Sequence, residues 1–537
     1  MNSSCNDPYQ IVINWDEGAM YNFCPMQAAS ERDDVDADAI KGMLEDIVDE
    51  HAKAKVDVLV HGVFSGFMSM MAYPRLRPPS GGGVHAPATA EEHEAWCQNH
   101  TFWLRGFKKL ADAGMDLVQI IFDRCQHHGM QFYAGFRMND RHAGSGQLRE
   151  FYPRVQQMAR EHPEWMLEEF PGGVNYKYEG VRTAVLDFIE EAIERYDLDG
   201  IELDWMRWCH MFNRSEAVEN APLLTELMGV VRRKLDDAAA RRGRQRLGLG
   251  ARVASTIDEC THLGYDVAAW IGEGLVDYLC PSDFYHTDVN IHVEDFVKLT
   301  EGTDCRIYPS IHPSVCWDNA AWLPGIEEYR AAATNFYAYG AHGVSPYNYM
   351  YHWGKVRAPS YPGPAEMWPK ALDYLTELKD ADRIAGGDRR YIFHPLWSGA
   401  REGHCPTGAY KHDTITLDRS ADDPHGSFVF RLAEHLDVAQ VSATLSFKVT
   451  EMIATDVLEV RINDTVVPTD EIDMQWRIGQ SPAEGRSLGP HFLLRLPLGS
   501  PPVRFGDNTL ALRLLNRVGM TQRHLNAQEF EVLVQVR

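Results

Sequence analysis

Two carboxyl groups, Glu202 and Asp204, sit two residues apart in the strand-like second half of YDLDGIELDWMRW, residues 196–208. Read with the period of a strand, Ile201 and Leu203 face one way, and Glu202, Asp204 and Met206 face the other. Burying two carboxylates on one strand face is unfavourable unless they are solvated, paired or in use. Such a pair can do acid–base work when one member stays ionised and the other holds its proton. Other acids stand at the ends of apolar runs: Asp16, Asp140, Asp258 and Asp283. Asp204, at the strand's end, is the acid expected to do chemistry. Glu202, one strand step deeper, is expected to orient Asp204 or shift its pKa.

The elements that must hold these groups alternate strand and helix. Strands are expected at 10–16, 55–66, 130–140, 196–208, 246–258, 275–285, 305–313 and 342–350, with helical spacing between them, including one continuous helix over 101–129. Eight strands in some 350 residues fit a (β/α)8 TIM barrel, whose active groups lie at the C-terminal ends of the strands. A doubly wound sheet would ask for a Gly-rich phosphate turn after the first strand, and NWDEGAM is not one. Residues 73–98, rich in Pro and Gly, are expected as a long rim loop. Beyond about residue 385 short alternating strands separated by turn signals predict an antiparallel β-sandwich. The expected division is therefore a barrel over 1–385 and a sandwich over 386–537, the latter either stabilising or oligomerising the enzyme, or binding carbohydrate.

Composition narrows the classes. A chain of 537 residues with 45% hydrophobic and 11% aromatic residues can fill two cores. A formal charge of −25 argues against nucleic-acid or anionic-membrane partners. No apolar run of spanning length and no basic leader or apolar signal core is present at the start, so a cytoplasmic chain is expected. The 10 cysteines lack any CxxC, and the 23 histidines lack HExxH, so reduced thiols, no metal and no cofactor are expected.

HPEW (His162 to Trp165), then the helix start GVR (Gly180 to Arg182), then the strand DGIELD (Asp199 to Asp204) resembles the corresponding block of the family 10-like glycosyl hydrolases, a bacterial group. LVDYLCPSDFY and GVSPYNY are similar to its later strands, so the resemblance covers most of residues 10–350. It implies a TIM barrel and cleavage of a glycosidic bond. Two related layouts are not met. Met206 stands where family 18 chitinases carry their catalytic Glu, and strand seven ends in Ser310, Ile311 and His312, where family 10 xylanases have an acid.

By analogy with retaining α-glycosidases, Asp204 on strand four would be the nucleophile and Asp283 on strand six the acid. Trp15, Trp205, Tyr285, Tyr347 and Trp353 could stack on sugar rings. Asp16, Arg137, Asn139, Asp140, Arg207, Asp258, His312 and Asn348 could bind hydroxyls. The partner expected is a carbohydrate substrate, with the oligomeric state left open. A lyase or isomerase acting on a sugar acid, and a non-catalytic carbohydrate-binding barrel, remain alternatives.

Overall fold

The computed structural model describes residues 9–15, 32, 34–65, 68–69, 109–141, 153–283, 286–313, 315–317, 320–349, 352, 368–393, 414–453, 455–480, 487–516 and 523–537. The chain is mixed α/β. Its first part builds a 10-stranded sheet whose long strands are parallel and follow one another in chain order: Gln10–Trp15, Val58–Ser65, Gln131–Arg137, Gly200–Asp204, Gly248–Ala254 and Tyr278–Ser282. Gly343–Pro346 flanks the first strand, with Gln10 opposite Gly343. The two ends of this order are the short pieces Arg306–Ile307 and Ser310–Ile311, separated in the chain only by Tyr308 and Pro309.

Each expected strand contains an observed one, but the fifth is shorter than the sequence suggests. It ends at Ala254; Thr256 then caps the helix Ile257–Leu263 by accepting from Glu259 N at 3.1 Å. The continuous helix expected over 101–129 is also interrupted. Gly114 takes a left-handed φ of 75°, and Asp116 opens a new helix, Leu117–His128, by accepting from Val118 N and Gln119 N. The 73–98 loop lies outside the described residues.

Helices cover the outer side of the strands. Ala37–Lys53 buries Ile40, Leu44, Ile47 and Val48 at helical spacing. Ala217–Arg241 buries Leu224, Leu227, Met228, Val231 and Leu235. The motif block 162–182 is a clasp holding the helix that feeds the strand Gly200–Asp204. Trp165 stacks on His162 with ring centroids 3.9 Å apart, and a Cβ on Gly180 would meet its indole at 2.2 Å. Arg182 donates to the carbonyls of Tyr176 and Lys177 at 2.6 and 2.9 Å.

Beyond residue 388 the described chain forms two antiparallel sheets, one of six strands and one of four. Phe428 and Phe430 of the four-stranded sheet meet Phe393 and Phe530, the Phe428 and Phe530 rings stacking at 4.5 Å. Polar contacts tie this part to the first. Arg431 pairs with Glu294 at 2.7 Å, and Asn335 Nδ2 donates to the Arg431 carbonyl at 3.0 Å.

Candidate active site

The strand Gly200–Asp204 is wholly buried and central, and its ladder register explains its chemistry. Glu202 lies opposite Gly135 on one neighbour and Gly250 on the other; Asp204 lies opposite Arg137 and Arg252. The inner row of the next strand is Gly248, Gly250, Arg252 because tyrosines occupy the space. A Cβ at Gly248 would meet Tyr133 Oη at 1.8 Å, and one at Gly250 would meet Tyr278 Cζ at 2.0 Å. Above those rings the inward side chains become polar.

Glu202 is fully buried. Tyr278 Oη donates to its Oε2 at 2.8 Å, and Asn14 Nδ2 donates to its Oε1. Burial pushes its pKa up to about 7, outweighing the two hydrogen bonds and the Arg252 charge, which favour the ionised form; Asp204 nearby adds to the rise.

The Asp204 side chain is buried and held by protein contacts. Arg252 Nη1 reaches its Oδ1 at 2.8 Å and its Oδ2 at 3.0 Å, and Met206 N and Arg207 N donate to Oδ1 at 2.9 and 3.0 Å. Arg252 then spreads its remaining donors: Nε to Ser282 Oγ at 3.0 Å, and Nη2 to the Asp283 carbonyl at 3.0 Å. Its guanidinium lies 3.7 Å over the Tyr347 ring. Ser282 Oγ is 3.1 Å from His312 Nε2. Arg137 Nη2 donates to Tyr347 Oη at 3.4 Å, and its Nη1 stands 3.8 Å from Asp140 Oδ2.

Glu202, Asp204, Arg137, Asp140 and His312 are thus brought together, along with Tyr347. Asp283, 1% exposed, follows the last residue of its strand, and its main-chain carbonyl accepts from Arg252; the strand itself gives the cluster Tyr278, Cys280 and Ser282. Asn348 is buried beside Tyr347, its N–H donating to the Asn14 carbonyl at 3.1 Å. Arg207 is half-buried, its guanidinium 5.6 Å from the Trp208 ring centroid.

Other expected positions are corrected. Trp15 shares its parity with Ile11 and Ile13, packs edge-on against His51 at 4.5 Å and is fully buried among core residues. Trp205 is likewise fully buried, against Tyr176, Tyr265 and Trp270. Neither offers a ring face to a ligand. Asp258 is an exposed residue of the first turn of Ile257–Leu263, four residues past the strand's end. Asn139 is a loop pin: its amide donates to the carbonyls of Val174 and His210, and its oxygen accepts from Val174 N and Asp140 N. Asp16, Tyr285 and Trp353 lie outside the described residues.

The sequence reading missed Arg252, Ser282, Tyr278 and Asn14. Arg252 carried a signal: an arginine in the inward row of an apolar strand, two residues beyond Gly250. Among the described residues no group of three or more His, Cys, Asp or Glu side chains could hold a metal ion, and no helix is long and apolar enough to cross a membrane.

The class defined so far is a mixed α/β protein with a buried acid–arginine cluster at the strand ends of a parallel sheet. No family model matches the chain, and no curated protein matches it. Solved structures similar to it include a GH138 enzyme described as targeting pectin rhamnogalacturonan II, at 10% identity and a TM-score of 0.41. That match covers 71% of this chain and 40% of the other. A β-galactosidase from the psychrophilic Marinomonas ef1 matches at 9% identity and a TM-score of 0.40, over 70% of this chain and 62% of its own. An endo-1,4-β-mannanase from Rhizomucor miehei matches at 8% identity and 0.39, over 64% and 87%. The chain therefore spans well under two thirds of the length of the first of these.

Proposed function

We propose that the chain is a glycoside hydrolase of the family 10-like group. In this reading the sheet closes through residues 305–313 into a (β/α)8 barrel over 1–385, followed by a β-sandwich over 386–537. The closing step is supported by hydrogen bonds on both sides of that segment: Tyr308 N to the Leu279 carbonyl at 2.9 Å, and Ser345 N to the Pro309 carbonyl at 3.0 Å.

The observation that carries the chemistry is the division of labour between two carboxyl groups on one strand. Glu202 is held protonated towards neutral pH by burial, whereas Asp204 faces a guanidinium and two main-chain N–H groups. Among the described residues Asp204 Oδ2 has a single 3.0 Å contact, and it is the oxygen assigned to the anomeric carbon. Asp283 is assigned as the proton donor to the leaving oxygen; Arg252 bonds both the Asp204 carboxylate and the Asp283 carbonyl, and so sets the two strand ends against each other. Attack by Asp204 would form a glycosyl-enzyme while the aglycone leaves with the Asp283 proton. Water, deprotonated by Asp283, would then release the sugar with retained configuration. Glu202 lies too deep to touch substrate and tunes the charge of Asp204.

A second reading is favoured by the three contacts on Asp204 Oδ1, which would also suit a structural anchor in a non-catalytic sugar-binding barrel. A panel of nitrophenyl glycosides separates the two. Turnover with retained configuration, followed by NMR of the first-formed sugar, is expected. Saturable sugar binding without turnover of any member would leave the second reading standing.

A further inference from the structure

The six-stranded antiparallel sheet ends differently on its two sides. On one side Arg389–Ile392 is largely buried, and Arg390 pairs with Glu328 of the helix Ile326–Ala338 at 3.4 Å. On the other side the sheet ends in Asp473–Gln480, which pairs with Ser487–Leu498; among the described residues no strand lies along its second edge. This last strand carries the core face out into solvent. Met474 lies opposite Leu494, which is 2% exposed, yet Met474 itself is 49% exposed. Trp476, 54% exposed, lies opposite Phe492, the ring centroids 5.1 Å apart. Ile478 is exposed as well, and half-buried Ile472 precedes the strand in extended backbone. By strand alternation Ile472, Met474, Trp476 and Ile478 share one face.

The opposite face of the strand carries Asp473, Gln475 and Arg477. Gln475 bridges the two charges: its Nε2 donates to Asp473 Oδ2 at 2.6 Å, and its Oε1 accepts from Arg477 Nη2. Among the described residues neither charge has an ion-pair partner, although Arg495 stands opposite Asp473 in the ladder. An open edge strand with an apolar stripe is a template for pairing, and charges placed there can keep other chains away. Charges serving only that purpose would share a sign. Opposite signs four residues apart attract when the strand meets itself antiparallel.

We infer that this edge pairs with the same edge of a second copy of the chain, antiparallel and with Gln475 on the two-fold axis. In that register Asp473 faces Arg477 of the second copy, and Arg477 faces its Asp473. On the other face Met474 meets Trp476, and Ile472 meets Ile478. Sliding the copies by two residues sets Asp473 against Gly479 or Gln475 instead, so the opposite charges no longer meet. The two-fold uses both open edges and closes the assembly at two chains. One strand pair buries a small area, so association at micromolar concentration is expected. The pairing follows from the β-sheet alone and does not depend on the hydrolase reading.

Sedimentation equilibrium on the full chain is expected to show a dimer that dissociates at micromolar concentration. Asp473→Arg and Arg477→Asp should each weaken it about tenfold or more, because both facing pairs become like-charged. The double variant Asp473→Arg/Arg477→Asp exchanges the signs and should restore affinity to within about threefold of wild type. Trp476→Lys should leave a monomer. Asp473, Trp476 and Arg477 are exposed, so each variant should keep its melting transition. Gln475→Cys gives a second reading that needs no charge change: mild oxidation should link two copies through the new thiols, beyond any link formed by the wild-type chain. A wild-type monomer at every concentration, a dimer indifferent to the single reversals, single losses that the double variant does not rescue, or no link in Gln475→Cys would each overturn the inference. So would a monomer that binds a polysaccharide and loses it in Trp476→Lys, because the apolar stripe would then be a sugar platform.

Discussion

Two buried arginine–carboxylate pairs in this molecule use their nitrogens differently. Where the chain passes into the antiparallel sheets, Arg389 meets Glu434 fork to fork, Nε to Oε1 at 2.6 Å and Nη2 to Oε2 at 2.8 Å. Tyr391 Oη closes Oε1 at 2.5 Å, and Arg389 Nη1 reaches the carbonyls of Ile384, Ala385 and Gly387. All three guanidinium nitrogens and both carboxylate oxygens are engaged within this seam. At the strand ends, Arg252 gives Asp204 a single nitrogen straddling both oxygens and sends its other donors to Ser282 and Asp283. The first arrangement locks a seam. The second orients a carboxylate while leaving one oxygen lightly held, as a site that must accept a third party requires.

The sharpest break between them is expected from Asp204→Asn. If Asp204 acts on the anomeric carbon, kcat per folded molecule should fall on the order of 10³-fold or more, about 4 kcal/mol in the barrier. The sequence alone suggests that this change would relieve an unpaired buried charge and spare stability. Arg252 reverses that expectation, because the substitution takes the carboxylate partner from a buried guanidinium, so the melting temperature should also drop. A folded Asp204→Asn protein with near wild-type kcat would remove Asp204 from the chemistry.

Glu434→Gln is the counterpart at the seam. Chemical denaturation should show a loss of about 3 kcal/mol, with activity per folded molecule preserved. A large fall in kcat there would mean that the seam is coupled to the site.

Glu202→Gln sharpens the comparison through pH. A carboxyl whose folded pKa is raised from 4.5 to about 7 binds its proton more tightly when folded. Its contribution is fully present below pH 4.5 and is lost as pH rises through 7. The stability of the Gln variant relative to wild type should therefore improve between those limits, by at most about 3 kcal/mol. A pH-independent difference would contradict a protonated Glu202.

The smallest effect is expected at Gly250→Ala, which drives a methyl into the Tyr278 ring and displaces the hydroxyl that donates to Glu202. A destabilisation of about 1–2 kcal/mol is typical of such overpacking. If Tyr278 supports Glu202, the pH at which stability declines should move as well.

Much of this was legible in the chain, and the failures are informative. Strand alternation put Glu202 and Asp204 on one face. The same alternation assigns Trp15 to the side of Ile11 and Ile13, and Trp205 to that of Ile201 and Leu203, so both tryptophans could have been read as core. Asp258 was misassigned because apolar alternation runs on past Ala254, whereas a Thr256–Glu259 cap ends the strand. Arg252 and Tyr278 were missed for a different reason. Their partnerships span 48 and 76 residues of chain, and only strand register brings them to the acids. Local sequence fixes which way a side chain faces; the ladder decides whom it meets.

The pairing of Gln10 with Gly343 and of Ile11 with Val344 has a consequence during synthesis. One edge of the first strand has no partner until more than 330 further residues have been made. At about 5–20 residues per second that is a wait on the order of 20 to 70 s. Throughout it the nascent chain presents Ile11, Val12 and Ile13 on an unpaired edge, which a chaperone can cover and a neighbouring nascent chain can capture. The ribosome, rather than the stability of the finished fold, then sets the period in which this protein is most exposed to aggregation.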